Sequence, residues 1–399
     1  MTQELTRKCG IVSIESIRKL NDRLASVFET SGQFIMHAGD CAETFESFTR
    51  ERIQRDLDFL YKSAQSVPAR TVCIGRICGQ FAKPRSAAIE CHPQHGHIPV
   101  YRGDLVNTTH ANARASEPSR MLAAYEKCKA TIATVEKSPI FTSHECLLLP
   151  YESGLVRIQN DQYFLTSAHF VWIGDRTRDL DGAHIEFCRG ISNPLGIKVG
   201  PSSDPAEIRK CVERLDPGNV PGRITVITRL GASNVRTMLP PLIENLRGRN
   251  VLWQSDPMHG NTVQRGSRKT RYVSTILDEI SDTVLIHRQM ESRLHGLHLE
   301  ATGEDVTECI GTGVEEAGLH LRYTSACDPR LNPAQTKAVI EHLSALIFSK
   351  DTPSLSDSSS NTTAGDPSHL SPSGESSDQE TLSCSTVSEL NVEILANQS

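Results

Sequence analysis

Residues 169–176 read HFVWIGDR. Phe170, Val171, Trp172 and Ile173 form an unbroken apolar run, which suits a strand covered on both faces, as in a parallel sheet. The run stops at Gly174, and an acid and a base follow, Asp175 and Arg176. A strand built this way carries functional groups at its carboxyl end.

The same pattern recurs along the chain. It is found at FIMHAGDC (34–41), TVCIGRIC (71–78), IFTSHE (140–145), LGIKVGP (195–201), RITVITRLG (223–231), NVLWQSDPMHG (250–260) and LHLEATG (297–303). With 169–176 this makes eight strand candidates, most of them separated by amphipathic stretches such as PAEIRKCVERL and LPPLIENLRG. Eight β-then-α units in about 300 residues predict an α/β chain folded as a (β/α)8 TIM barrel. A doubly wound open sheet is the alternative. It needs a glycine-rich phosphate turn after its first strand, and no GxGxxG occurs.

Composition narrows the function. The 399 residues carry a net charge of −6, so the broad basic footprint of a nucleic-acid binder is absent. No apolar run is long enough for a membrane span. The opening MTQELTRKCGIVSIESIRKL mixes acids with bases and has no apolar core of a secretory signal, so a cytoplasmic protein is expected. The twelve cysteines show no CxxC pairing and read as buried thiols of a reducing compartment. Residues 351–399 change character. They are rich in Ser and hold eight Asp or Glu with no Lys or Arg, so they account for −8 and leave the rest of the chain at +2. The expected organisation is a helical N-terminal extension (1–30), a catalytic barrel (31–350) and a disordered acidic, Ser-rich tail (351–399).

In a barrel all strand ends meet at one mouth, where active sites lie. The residues at these ends are Cys41, Arg76, His144 with Glu145, Arg176, Lys198, Arg229, His259 and Glu300, with Asp328 in the next segment, ACDPRLN. They sort into two chemistries. Arg76, Lys83, Arg85, Arg176, Lys198 and Arg229 are cations, more than one phosphate needs, and suit two phosphates or a phosphate and a carboxylate. Cys41, His259, Glu300 and Asp328 are a thiol, an imidazole and two carboxylates, a donor set suited to Mn²⁺, Co²⁺, Fe²⁺ or Zn²⁺ rather than Mg²⁺ or Ca²⁺. His144 and Glu145 read as an acid/base pair or as the start of a helix. Cys327, beside Asp328, is expected within bridging reach of Cys41 if both segments serve one metal.

These segments together resemble the type II 3-deoxy-D-arabino-heptulosonate 7-phosphate (DAHP) synthases. The matching pieces are GDCAETF, GRICGQFAKPRS, YRGDLVN, TSHECLLLPYE, FVWIGDRTRDLDGAHIEF, NPLGIKVGP, ITRLGASNVRTMLPPLI, WQSDPMHGNT, GLHLEATGEDVTEC and ACDPRLNPAQ, in family order over roughly residues 30–345. The resemblance implies a homo-oligomeric shikimate-pathway barrel that condenses phosphoenolpyruvate with D-erythrose 4-phosphate. It implies Mn²⁺ or Co²⁺, with Fe²⁺, Zn²⁺ or Cd²⁺ as substitutes, on Cys41, His259, Glu300 and Asp328. It further implies a phosphoenolpyruvate site of Arg76, Trp172, Asp175, Arg176, Lys198 and Arg229, and an erythrose 4-phosphate loop of Lys83, Pro84, Arg85 and Ser86. Lys83, Cys41 and His259 take the catalytic roles.

The chain departs from the family pattern in places. Asp175 replaces a glutamate, Leu105 an asparagine, RLHG (293–296) stands for HPGG, and YTSACDP for YETACDP. These changes keep two alternatives in view: a secondary-metabolism paralogue using another aldose phosphate, and a non-catalytic barrel. The N-terminal extension is shorter than the family's, so weak feedback by aromatic amino acids is expected.

Overall fold

The computed structural model describes residues 1–85, 87–266 and 268–348. Ser86 and the tail expected to be disordered, 351–399, lie outside the described residues. Eight strands form a closed parallel barrel: β1 (Gln33–Gly39), β2 (Arg70–Arg76), β3 (Ile140–Glu145), β4 (Phe170–Ile173), β5 (Leu195–Val199), β6 (Ile224–Thr228), β7 (Val251–Ser255) and β8 (Gly296–Glu300). Each pairs with its neighbour in sequence, and β8 closes on β1 with Ile35 opposite Gly296 and Gly39 opposite Glu300. Each of the eight expected runs holds one of these strands, and closure rules out the open sheet. Strands β4 to β8 are buried at every position, as parallel strands between a lumen and a helical shell must be.

The outer helices are α2 (Arg50–Gln65), α3 (Arg120–Val135), α4 (Ala183–Arg189), α5 (Pro205–Leu215), α6 (Val235–Asn245), α7 (Val273–Gln289) and α8 (Pro333–Phe348), preceded by α1 (Ile14–Glu29). Their starts are written in the sequence. Ser13 and Thr49 cap α1 and α2 by accepting from the N–H of Ser16 and Arg52. Asp204 caps α5 ahead of Pro205, whose missing N–H costs nothing in the first turn.

The third crossover has only a short helix (Leu149–Gly154) and a hairpin of Val156–Gln159 with Gln162–Leu165. The N-terminal segment covers the gap. Leu5 is fully buried, and a Cβ on Gly154 would sit 2.7 Å from its own. Ile11 and Val12 both donate to the Thr166 carbonyl, and Tyr125 donates to that of Cys9.

Helix α1 closes the amino-terminal end of the barrel. Leu20, Leu24 and Val27 share one face by helical spacing and pack in a single cluster with Ile35, Val72, Ile74, Phe170, Trp172, Ile227 and Leu252. Gly222, just before β6, allows the approach: its φ is +76°, and a Cβ there would meet the Ala25 nitrogen at 2.4 Å. Arg293, before β8, donates to the carbonyls of Val27, Phe28 and Thr30 and so caps the last turn of α1. The RLHG departure therefore sits at the barrel floor, opposite the strand ends that carry the ionisable ring.

No helix among the described residues is long and apolar enough to cross a membrane. Because Arg293 ties the plug to the floor through charge-assisted bonds, Arg293→Ala is expected to lower stability by about 2 kcal/mol. A shifted urea midpoint at unchanged kcat is the expected reading, and a fall in kcat would contradict this division between the barrel's two ends.

Candidate active site

The carboxyl ends of β1, β7 and β8, with the segment after β8, bring the expected metal-ligating side chains near one another. His259 follows β7 in a short 3₁₀ turn, Glu300 ends β8, and Asp328 lies on the segment after it. One donor atom from each lies within 4.8 Å of the others. His259 Nε2 is 3.1 Å from Glu300 Oε1, while its Nδ1 donates to Asp256 at 2.7 Å. That second bond fixes the ring and turns Nε2 towards the carboxylates, as an imidazole ligand requires. Cys41 stands at the edge of the trio. Its sulfur accepts from the Asp328 N–H at 3.3 Å and touches the Ser325 hydroxyl at 3.1 Å.

Electrostatics keep the two carboxylates anionic. Burial works against ionised Glu300, but His259, Arg271, Lys83 and Arg76 overcome it and hold the carboxyl well below the usual range. Asp328 is likewise held low, against its burial, chiefly by Lys83. Burial, and then its hydrogen bond to Cys327, push the Cys41 thiol well above its ordinary value, so a cation that binds it must displace a proton. Both cysteines are free thiols. Lys83 Nζ stands 3.7 Å from Glu300 and 3.6 Å from Asp328, and these carboxylates raise its pKa despite burial.

A cavity of about 410 Å³ opens beside the trio. Arg76, Lys83, Pro84, Arg85, Trp172, Asp175, Arg176, Lys198, Arg229, His259 and Asp328 all line it. Cys41 and Glu300 lie below it, fully buried. Arg76 and Lys198 stand over the face of Trp172 at 5.2 and 5.5 Å, which keeps two cations close together above an electron-rich ring. Lys198 pairs with Asp256 at 2.7 Å and Arg229 with Asp175 at 2.9 Å. Burial first, with Arg76 adding to it and Asp256 opposing, brings Lys198 down to about 8.

The departures from the family pattern leave this cavity intact. Asp175 still reaches Arg229, Arg178 and the Gly200 N–H with the shorter side chain. Leu105 is buried behind the 78–85 loop, its N–H on the Phe81 carbonyl, and does not line the cavity. Neither it nor the 293–296 floor loop therefore argues for another aldose. In YTSACDP, Thr324 accepts from Arg330, and Ser325 holds the Asp328 carbonyl.

One reading needs correction. His144 and Glu145 do not form a pair, because successive residues of a strand point to opposite faces. His144 turns away to Glu152 at 2.9 Å, whereas Glu145 lines the cavity, its Oε1 unpartnered among the described residues. Sequence reasoning also missed Gln80, Asp256, Lys269 and Arg271. Asp256 had a signal, since an acid three residues before His259 in one turn is placed to orient its ring. Arg271 and Lys269 come from a hairpin strand (Arg268–Thr270) and the residue after it, which no strand-end argument reaches.

The comparisons agree with this geometry. The family model described as the class-II DAHP synthetase family matches residues 1–138 and 132–344. A phospho-2-dehydro-3-deoxyheptonate aldolase of Streptomyces coelicolor is 38% identical, with 80% of this chain and 85% of that protein covered. One from Neurospora crassa is 35% identical over 84% of this chain and 86% of its own. Another, from Mycolicibacterium smegmatis, is also 35% identical, over 80% and 84%. A solved Francisella tularensis structure of the same name shares the fold at a TM-score of 0.56 and 14% identity, covering 87% of this chain and 96% of that one. With a family model spanning nearly all of the barrel, and relatives above one-third identity over four-fifths of the chain, this chain belongs to the class-II DAHP synthetase family and is an enzyme.

Proposed function

We propose that this enzyme condenses phosphoenolpyruvate with D-erythrose 4-phosphate to give DAHP and inorganic phosphate, the entry step of the shikimate pathway. One observation carries the reading: cations from β2, β4, β5 and β6 and from the 83–85 loop line a single cavity beside the His259, Glu300 and Asp328 trio. Two side chains that line that cavity, Glu145 and Arg229, each keep a buried polar atom, Oε1 and Nε, without a partner among the described residues.

The donor set fits a divalent ion of the Mn²⁺ or Co²⁺ kind, with His259, Glu300, Asp328 and Cys41 to hold it. When bound, such an ion supplies Lewis acidity towards an aldehyde oxygen. The protein's own groups do the rest. Arg76, Lys198 and Arg229, with Arg176 at the rim, neutralise and orient the carboxylate and phosphate of phosphoenolpyruvate, and Lys83 and Arg85 hold the aldose phosphate. C3 of phosphoenolpyruvate attacks the aldehyde carbon, the C–C bond forms, and the aldehyde oxygen takes a proton to become a hydroxyl. Lys83, charged and beside the trio, stands where that proton is needed. Water then adds at C2, Glu145 takes its proton, and loss of phosphate leaves the keto group.

Three outcomes are expected. Protein stripped with EDTA loses turnover and bound metal together and regains both with Mn²⁺ or Co²⁺, and His259→Ala falls below about 1% of kcat by the size of a lost Lewis-acid contribution. Full activity in that variant would sink the assignment.

The second concerns Glu145→Gln, which keeps the shape but cannot accept a proton. It should lower kcat about a hundredfold with little change in KM for phosphoenolpyruvate. Wild-type kcat would remove Glu145 from the water step.

The third follows from Lys198. It is the protonated form that meets the substrate anion, and the proton leaves as pH rises through about 8. The value of kcat/KM for phosphoenolpyruvate should therefore be insensitive to this group below that pH and decline above it. In Lys198→Arg the alkaline decline should disappear from the assay range. A decline that persists unchanged in the variant would assign it to another group.

A further inference from the structure

The GDCAETF segment contains a second acid the mechanism does not use. Glu43 is buried, and among the described residues no Lys, Arg or His lies within ion-pair distance of it. Its carboxylate instead accepts three successive backbone N–H groups from the loop after β2. Oε1 takes that of Cys78 at 3.0 Å, and Oε2 takes those of Gly79 at 2.9 Å and Gln80 at 2.8 Å. The Glu43 N–H returns a bond to the Gln80 carbonyl at 2.9 Å. Consecutive N–H groups turned to one point make a concavity that attracts an anion, and here the chain supplies its own.

The loop needs this support. Cys78 has φ +66°, which a residue with a side chain keeps only when the surroundings enforce it, and Gly79 follows at φ +144°, which glycine adopts without strain. Gly79 also lies against the His144 ring, where a Cβ would come within 2.7 Å of Nδ1. The same loop then runs to Lys83 and Arg85. Its far end is fixed separately, by Lys83 N–H on the Arg102 carbonyl and Leu105 N–H on that of Phe81. Between the two ends, the Gln80 side chain reaches the Cys41 carbonyl at 3.4 Å and accepts the Glu145 N–H at 3.0 Å.

We propose that Glu43 is a positioning residue: its carboxylate, bound to three consecutive amides, sets the conformation of the 78–85 loop and thereby places Lys83 and Arg85 for the aldose phosphate, in register with the Cys41 loop. The kinetic half of this proposal rests on the function proposed above. The three enclosed cations assigned to phosphoenolpyruvate stand on other supports, whereas Arg176, at the rim, touches the loop through the Pro84 carbonyl. Lys198 and Arg229 are held by Asp256 and Asp175, and Arg76 by the Asp40 carbonyl, His298 and Glu300. Losing Glu43 should therefore harm the two substrates unequally.

The test is Glu43→Gln, which keeps size but loses the charge and half of the acceptor capacity. Without any substrate, amide hydrogen exchange at Gly79 and Gln80 should quicken at least tenfold, with exchange in β4 to β6 unchanged. In the steady state, KM for erythrose 4-phosphate should rise about tenfold or more, while KM for phosphoenolpyruvate and the stoichiometry of bound Mn²⁺ stay within twofold. Unchanged exchange at 79 and 80, or an equal rise in both KM values, would overturn the proposal. If wild-type protein fails to consume erythrose 4-phosphate, the functional reading falls, and the exchange measurement still decides the role of Glu43. Should Glu43→Gln unfold under assay conditions, Glu43→Asp keeps the charge but withdraws it by one methylene, and the same two readouts apply.

Discussion

Glu300 is fully buried at the end of β8, and the mouth of the barrel is organised around its charge. A carboxylate out of reach of water needs compensation close at hand. Here it comes from four directions: Arg76 at 3.0 Å from β2, Arg271 at 2.7 Å from beyond the hairpin after β7, His259 at 3.1 Å from the turn after β7, and Lys83 at 3.7 Å from the loop after β2. These partners belong to pieces of chain that the barrel alone brings together. The arrangement costs desolvation that only good geometry offsets, which is why each partner has a further anchor. His259 leans on Asp256, Arg76 on the Asp40 carbonyl and His298, and Arg271 on Thr262 and the Pro329 carbonyl.

The floor of the barrel uses different physics. There the α1 helix presents Leu20, Leu24 and Val27 to an apolar lumen, and the polar contacts at its end are to backbone carbonyls. Between floor and mouth lies a polar layer. His37 bonds Ser143 at 2.8 Å and meets His298 at 3.1 Å, and burial, with nearby Arg76 and Lys198, holds both imidazoles well below their ordinary pKa. Two neutral rings can accept and pass on a hydrogen-bond direction without adding charge beneath a site already crowded with cations. Stability and chemistry are thereby separated along the barrel axis, and a change such as RLHG can be tolerated at one end without reaching the other.

How much of this could be read from the sequence depended on periodicity. The eight strands were legible because parallel barrel strands are apolar on both faces and end on a sharp change of character, as HFVWIGDR does. The strand-end residues were legible for the same reason, since they sit in the last positions of a strand, as Arg76, Lys198 and Glu300 do, or shortly past it, as Cys41, Arg229 and His259 do. What lacked a period was not legible. Strand alternation decides that Glu145 faces the cavity and His144 does not, but the phase cannot be fixed without knowing which neighbours are covered. Arg271 and Lys269 act from a hairpin whose position is set by tertiary packing. The gap in the helical ring after β3, filled by Leu5, Ile11 and Val12, follows from a crossover that forms a hairpin instead of a full helix.

The cations of the cavity divide by burial, and the division follows from the cost of an unpaired charge. Arg76, Lys198, Lys83 and Arg229, the more enclosed, each have a carboxylate within 3.6 Å: Glu300, Asp256, Asp328 and Asp175. Among the described residues, Arg176, exposed at the rim, bonds the Pro84 carbonyl at 3.4 Å, and no carboxylate lies within ion-pair distance of it or of half-buried Arg85. Water can stabilise a rim guanidinium until a ligand arrives, whereas an enclosed one must be paired from the moment of folding. The paired cations are therefore fixed in place and contribute orientation, their net field reduced by their own carboxylates. The unpaired pair keeps its full charge at the rim, open to an incoming anion. Two such groups, one on the strand-end loop after β4 and one on the loop after β2, suit the two phosphorylated substrates of the proposed reaction.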